Sequence, residues 1–378
     1  MIDKRVIENI LEKYGRDISI GCIGSHSALE ISRGAKRQGF KTIVICQRGR
    51  EKTYQKYFIK KMFFGEDSGC IDEVIVLEKF RNILDKNIQN MLVNKHTIFI
   101  PHRSFAVYVG YDGIENRFEV PVFGNRYLLR VEERDVSRNQ YYLLEKAGIR
   151  TPIIFKDYTE IDRVCIVKVG EAERRYERAF FLVSSPKEFE EVSKKMIKEG
   201  RIREESLENA VIEEFIVGAQ FNFNFFYSPL LDEIELMGID MRRQTNLEGI
   251  LRLPSNWQKK ILEKIGIKFI EVGHIACTLR ESLLEKAFEL GERFVKVVRK
   301  EYPPGIIGPF ALQGAIIPGP PREDIVIFDV SLRVPGSPGI LYTPYTFYKW
   351  DRNISVGERI AIEIKYGLKL GLLDRLVT

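Results

Sequence analysis

The run Ile325-Val326-Ile327-Phe328-Asp329-Val330-Ser331-Leu332-Arg333 spaces an acid, a hydroxyl and a guanidinium at alternate positions of an otherwise apolar, strand-like segment. Period two puts Asp329, Ser331 and Arg333 on one face of that strand and Phe328, Val330 and Leu332 on the other. A second run, Gly308-Pro309-Phe310-Ala311-Leu312-Gln313, precedes it across the turn-rich Pro318-Gly319-Pro320-Pro321-Arg322-Glu323-Asp324. That spacing brings Gln313 onto a neighbouring strand. An acid, an amide and a guanidinium together suit a hard cation and a phosphate, so the chemistry implied is that of a nucleotide-using enzyme.

Lys168, in Ile166-Val167-Lys168, closes an apolar strand. Burying an ammonium is costly unless it is paired, so a purely structural role for Lys168 is not expected. His26, in Gly24-Ser25-His26-Ser27, and Ser104, in Pro101-His102-Arg103-Ser104, lie in loops. Taken alone, His26 is an ordinary surface or capping histidine, and Ser104 opens a helix whose amides suit an anion. Asp329 has a plain alternative, pairing with Arg333 along its own face. His96 and His102 read as structural or solvated, and Asn222 and Asn224 as the lining of a polar sheet face.

These residues need elements to position them. Residues 18–23, 42–46, 73–77 and 97–101 read as apolar strands separated by helical stretches at 28–38 and 79–91, the signature of a parallel sheet with right-handed crossovers. Ligands on such sheets bind beyond the carboxyl ends of the strands, where the His26 and Ser104 loops lie. A charged helix over 127–147, closed by Gly148, leads into a smaller α+β unit. Its strands are 164–169, 179–184 and 210–217, with a helix at 186–199. Long strands at 219–227 and 233–242 follow. In the first, Gln220, Asn222 and Asn224 alternate with Phe221, Phe223 and Phe225, giving one polar and one core face. Helices at 281–300 and 355–372 complete the chain. The expected domains are 1–123, 124–217 and 218–378.

A chain of 378 residues supports a large core, and 44% apolar with 30% charged residues describes a globular protein, excluding a disordered one. The net charge of +6 is small for this length, and no arginine cluster is interleaved with aromatics. Nucleic acid is therefore not an expected partner, whereas anionic small molecules are. Five scattered cysteines without metal-ligand spacing read as reduced thiols of a cytoplasmic protein. The amphipathic start Met1-Ile2-Asp3-Lys4-Arg5-Val6-Ile7 is no signal peptide, and no membrane span is expected.

The order of parts resembles the ATP-grasp superfamily: a parallel α/β (Rossmann-like) domain, a lysine-bearing α+β unit, a Glu-Glu-Phe hinge and a larger antiparallel sheet. At the level of motifs the chain resembles the archaeal formate-dependent FAICAR synthetases of purine biosynthesis. The carrying segments are Gly24-Ser25-His26-Ser27, Pro101-His102-Arg103-Ser104-Phe105, Phe123-Gly124-Asn125-Arg126, Glu213-Glu214-Phe215-Ile216-Val217-Gly218, Phe226-Tyr227-Ser228-Pro229-Leu230, Arg280-Glu281-Ser282-Leu283-Leu284 and Pro303-Pro304-Gly305-Ile306-Ile307-Gly308-Pro309-Phe310. None is specific alone; in this order they are. The resemblance implies a ligase that makes formyl phosphate from ATP and formate and passes the formyl group to the amine of AICAR, a nucleotide monophosphate. It implies Lys168 and Arg333 as catalytic groups facing phosphate. Lys168, Glu213, Glu214 and Gln244 would bind ATP, and His26, Ser104 and His274 the substrate. Gln313 and Asp329 would hold Mg2+, with Mn2+ as the alternative ion. A homo-oligomer is also implied.

The chain departs from that family's pattern in several places. Where a glycine-rich flap should close over the phosphates, Gly170 alone stands among Glu171, Glu173, Glu177, Arg174, Arg175 and Arg178. Gln244 replaces a glutamate and His274 an asparagine; the imidazole ring keeps one amide hydrogen bond where the amide makes two. Asp329 is the shorter of the two acids a metal strand can carry, and two prolines, Pro335 and Pro338, stiffen the run after Arg333. These changes suggest a diverged paralogue. Two alternatives follow: another carboxylate–amine ligase, or a non-catalytic nucleotide-binding relative.

Overall fold

The computed structural model describes residues 1–134, 136–169, 179–265, 267, 269–319 and 321–378, with residues 244, 269 and 270 described in their backbone only. Three sheets carry the architecture. In the first, β1 (Ser19–Ile23), β2 (Lys41–Gln47), β3 (Glu73–Leu77) and β4 (Thr97–Phe99) pair in parallel in the order β3-β2-β1-β4. The central strand is buried along its whole length, as an apolar run covered on both faces must be.

The second sheet is small and antiparallel, with β5 (Ile154–Phe155), β6 (Cys165–Lys168), β7 (Phe180–Val183) and β8 (Val211–Glu214) in the order β5-β8-β6-β7. The helix Pro186–Lys198 covers it, with Pro186 in its first turn and the Ser185 hydroxyl accepting from the Glu188 amide. The third sheet holds β9 (Ala219–Ser228), β10 (Glu233–Thr245), β11 (Phe269–Cys277), β12 (Gly308–Ile317) and β13 (Asp324–Ser331), ordered β11-β10-β9-β12-β13. Its apolar face packs Phe225 and Phe310 against Phe294 of the helix Leu284–Glu301. Its opposite face carries Asn222, Asn224, Asp240 and Gln313, all buried.

The helix Val356–Leu370, capped by Ser355, packs on the helix Ala28–Arg37 that covers the first sheet. A Cβ on Gly34 would stand 2.1 Å from the Glu358 amide nitrogen, so the backbones meet where only glycine fits. On its other side the helix is tied to the third sheet. The buried Arg359 guanidinium donates to Glu235 at 2.7 Å and to Glu363 at 2.8 Å, and stacks on Phe226. The first and third sheets are thereby held together, and His102 just beyond β4 bridges Val334 just beyond β13. Among the described residues, no helix is long and apolar enough to cross a membrane.

Three expectations are corrected. The helix expected over 127–147 is instead two 3-10 turns, Arg126–Leu128 and Arg130–Glu132, followed by the helix Gln140–Lys146. Glu132 and Gln140, on either side of the break, are tied to the end of β13: the Glu132 carboxylate accepts from the Leu332 amide and the Gln140 side-chain oxygen from the Val330 amide. The helix expected over 79–91 breaks at Asp85, whose extended backbone separates a 3-10 turn from the helix Lys86–Asn94. The strict alternation expected in β13 also fails. Gln313 pairs with Asp329 but Gly314 pairs with Ile327, so Phe328 is the extra residue of a bulge. Phe328 therefore lines a small cavity with Gln313, Arg242 and Asn222 rather than facing the core with Val330.

Candidate active site

The last residue of β6 reaches between the small and large sheets. Lys168 is buried and forms an ion pair with Glu213, its near neighbour on β8. Its ammonium also lies 3.4 Å from the Phe328 carbonyl and over the Phe328 ring. Tyr141 donates to the other Glu213 oxygen at 3.0 Å. Arg134 reaches the Tyr141 hydroxyl at 3.4 Å and the Asp329 carboxylate at 3.4 Å. Burial pulls the Lys168 pKa below its ordinary value; Glu213 opposes that pull and Arg134 adds to it.

Asp329 and Gln313 stand side by side as register partners on β13 and β12. The Gln313 side-chain oxygen accepts from Arg242 at 2.5 Å, while its amide donates to Ser331 at 2.9 Å. Arg333 follows the end of β13. Its buried Nε lies 3.4 Å from Glu132 without forming a hydrogen bond. Burial lowers the Arg333 pKa, against the attraction of Glu132. In place of the alternative in which Asp329 pairs with Arg333, Asp329 forms an ion pair with Arg134 and Arg333 one with Glu132.

Magnesium, which the family resemblance implies, can be tested against this donor set. One carboxylate and one amide are hard oxygen donors on adjacent strands, and each already faces a guanidinium. Among the described residues, no group of three or more His, Cys, Asp or Glu side chains could hold a metal ion. The pair therefore fits an ion whose remaining positions come from phosphate oxygens and water, the usual arrangement for magnesium on a nucleotide.

The second cluster lies where the first sheet meets the segment after Arg333. His26 adopts a left-handed φ of 49°, uncommon for a residue with a Cβ. Its Nδ1 lies 2.6 Å from the Ser27 hydroxyl, which donates to the Pro335 carbonyl at 2.8 Å. His26 stacks on His102 at 5.5 Å, and His102 is anchored to the Ile23 carbonyl at 2.8 Å. His26 keeps an exposed face, yet the protein packed around its ring, and then the Arg333 charge, lower its pKa and favour the neutral form that the Ser27 contact also fits. Across Gly336 stands His274, with Nδ1 2.7 Å from Asp240. Burial opposes a charge on His274, but hydrogen bonds to Asp240 and Glu271 outweigh it and raise the pKa to about 9.

The structure thus gathers Lys168, Glu213, Gln313, Asp329 and Arg333 into one half of a site, and His26 and His274 into the other. Ser104 is buried in the first turn of the short helix Arg103–Val109, two residues beyond the His102–Val334 bridge. Glu214 points the other way from Glu213, towards Arg163 at 3.7 Å and the Ile153 amide. The Gln244 side chain and the flap residues 170–178 lie outside the described residues. Sequence reasoning missed Arg134, Tyr141, Arg242 and Asp240. Only Asp240 left a signal, an acid between Ile239 and Met241 in a strand; the others sat in charged stretches that look solvated.

Residues 188–378 match the family described as "Domain of unknown function (DUF1297)", and residues 20–155 match "Protein of unknown function (DUF1246)". The 5-formaminoimidazole-4-carboxamide-1-(beta)-D-ribofuranosyl 5'-monophosphate synthetase of Methanopyrus kandleri is 39% identical, over 100% of both chains. The crystal structure of an IMP biosynthesis protein PurP from Thermococcus kodakaraensis superposes with a TM-score of 0.68 at 28% identity, covering 95% of this chain and 100% of that one. At 14% identity, N5-carboxyaminoimidazole synthetase from Staphylococcus aureus complexed with ADP shares the fold, with a TM-score of 0.53 over 85% of this chain and 71% of that one. The fold is ATP-grasp, preceded by a parallel-sheet domain, and the chain belongs to the 5-formaminoimidazole-4-carboxamide-1-(beta)-D-ribofuranosyl 5'-monophosphate synthetase family.

Proposed function

We propose that this protein is an ATP- and Mg2+-dependent ligase that formylates AICAR to FAICAR with formate, through formyl phosphate. One observation carries the reading. The segment 329–337 runs from Asp329 through Arg333 to Pro335, whose carbonyl accepts from Ser27, and to Gly336, where an added Cβ would stand 3.0 Å from His26 and 3.7 Å from His274. A single stretch of backbone therefore sets the acyl-phosphate end against the nucleotide end, the proximity such a transfer needs.

In this reading formate attacks the γ-phosphorus as ADP leaves, and the AICAR amine then attacks the formyl carbon as phosphate leaves. Lys168, oriented by Glu213, neutralises oxygens of the transferring phosphoryl group. Arg333 presents a planar guanidinium to the acyl phosphate. Gln313 and Asp329 hold magnesium, which supplies charge neutralisation on the phosphate oxygens. Glu214 and Gln244 are nucleotide contacts, and Ser104 joins His26 and His274 in holding AICAR. The division into 1–123, 124–217 and 218–378 assigns AICAR to the first and third units and ATP to the second and third.

A second reading, another carboxylate–amine ligase, is favoured by His274, whose charge differs from the family's asparagine. Both are separated by one assay. ADP release is expected only when magnesium, formate and AICAR are all present. ADP formed without formate, or equally well with other carboxylates, removes the named reaction; no ADP under any combination leaves a nucleotide-binding protein without ligase activity.

A further inference from the structure

Asp240 is fully buried, yet it is neither a metal ligand nor part of the phosphate half. Its two oxygens accept from the side-chain amides of Asn222 and Asn224, each at 2.7 Å, and His274 Nδ1 lies 2.7 Å from one of them. Three strands, β9, β10 and β11, thus hold one carboxylate against one imidazole. With Nδ1 committed, His274 has only Nε2 to offer a substrate, and its present partner there is the long 3.4 Å contact with Glu271 that a substrate oxygen would replace. A neutral ring with its proton on Nδ1 would expose a lone pair at Nε2, whereas the imidazolium exposes an N–H. A buried carboxylate beside Nδ1 favours the second form.

His26 has the opposite wiring. Because the Ser27 hydroxyl donates to the Pro335 carbonyl, its oxygen is free to accept from His26 Nδ1–H. The neutral His26 ring then exposes a lone pair at Nε2. Both Nε2 atoms lie within 4 Å of one point beside Gly336, His26 at 3.0 Å and His274 at 3.7 Å. A donor and an acceptor facing one space match a primary carboxamide, whose oxygen accepts and whose NH2 donates.

We propose that His26 and His274 form an acceptor–donor pair for the carboxamide of the nucleotide substrate, with Asp240 as the positioning residue that fixes His274. The identity of that nucleotide rests on the AICAR ligase reading. The groups facing His274 are Asp240 and Arg242 from β10, Glu271 from its own strand at 3.4 Å, Ser337 at 3.2 Å from the following loop, and His26. Of these, Asp240 and Glu271 favour its proton and Arg242 opposes it.

The test is the pH dependence of nucleotide binding to the full chain by calorimetry, using AICAR and 5-aminoimidazole ribonucleotide, which lacks the carboxamide. His274 carries its proton below about 9, so AICAR affinity is expected to stay flat through neutral pH and to fall about tenfold per unit above that point. Affinity for the nucleotide without the carboxamide should show no such break. Asp240→Asn should move the break down by about one unit or more, because burial would act on the ring without its main counter-charge. Should that variant fail to fold, His274→Gln serves instead: its amide does not titrate, and the break should vanish. A flat AICAR profile in the unsubstituted protein, or the same break with both nucleotides, overturns the pair. A break confined to AICAR but no formate-dependent ADP release would sink the ligase reading and keep the pair.

Discussion

Around Lys168 the carboxylates face cations or a phenol from other elements, whereas around His26 and His274 most polar atoms are tied to amides, hydroxyls and backbone carbonyls, the Asp240 and Glu271 carboxylates on His274 being the exception. Glu213 holds Lys168 and Tyr141, Asp329 holds Arg134, and the Gln313 oxygen holds Arg242. His102 is fixed by the Ile23 carbonyl, Ser27 by the Pro335 carbonyl, and Asp240 by two asparagines. Buried ion pairs add little net stability against well-packed alternatives, so exchanging a carboxylate for a phosphate on the same guanidinium is energetically gentle. Short side chains bonded to backbone have nowhere else to go. Under the proposed function, the half around Lys168 would change partners on binding phosphate and the half around His26 would stay fixed.

If that contrast holds, damage to one half should spare the other. The largest effect is expected at Lys168. Lys168→Met should cut the rate of ADP formation by about a thousandfold, the scale of losing a transition-state charge partner, while AICAR affinity by calorimetry changes little. A parallel loss of AICAR affinity would mean that the two halves are not separable; an unchanged rate would remove Lys168 from the chemistry. A thermal melt controls for the carboxylate of Glu213, which the variant leaves with Tyr141 as its remaining partner.

Asp329→Asn comes next. An amide keeps an oxygen donor but loses the charge, and it loosens Arg134. The magnesium concentration giving half-maximal rate should rise by about tenfold or more, with the maximal rate falling less than for Lys168→Met. An unchanged magnesium requirement would place the metal elsewhere. AICAR binding without metal should again be spared.

How much of this was legible in the sequence follows the same division. Lys168, Asp329 and Gln313 sit at strand positions where a polar residue interrupts an apolar pattern, and that interruption marks them. Most strands of the three sheets were readable because apolar runs such as Val44-Ile45-Cys46 and alternations such as Asn222-Phe223-Asn224-Phe225 carry period and length directly, whereas the edge strands β5 and β11 were not read. Arg134, Arg242 and Tyr141 were not readable. Their neighbours are charged or aromatic too, and only the break of the expected 127–147 helix turns Arg134 towards Asp329. That break depends on Glu132 and Gln140 capturing amides of β13, roughly two hundred positions along the chain, which no local pattern encodes. The bulge that swings Phe328 into the cavity is likewise a property of pairing, set by which residue of β12 meets which of β13.

The smallest expected effect probes the rigid half. A Cβ on Gly336 would stand 3.0 Å from both Cε1 and Nε2 of His26 and 3.7 Å from His274 Nε2. Its backbone needs no left-handed φ, so the consequence of Gly336→Ala comes from the methyl alone. His26 cannot yield freely, because Ser27 pins it to Pro335 on one side and His102 stacks on the other. The methyl should displace the ring by a few tenths of an ångström and fill part of the space between the two Nε2 atoms. A shift of that size costs about 1 kcal/mol, so KM for AICAR is expected to rise about fivefold, with KM for ATP unchanged. A rise in KM for ATP instead would show that the displacement passes along 329–337 into the phosphate half. The shared segment would then couple the two halves rather than merely align them.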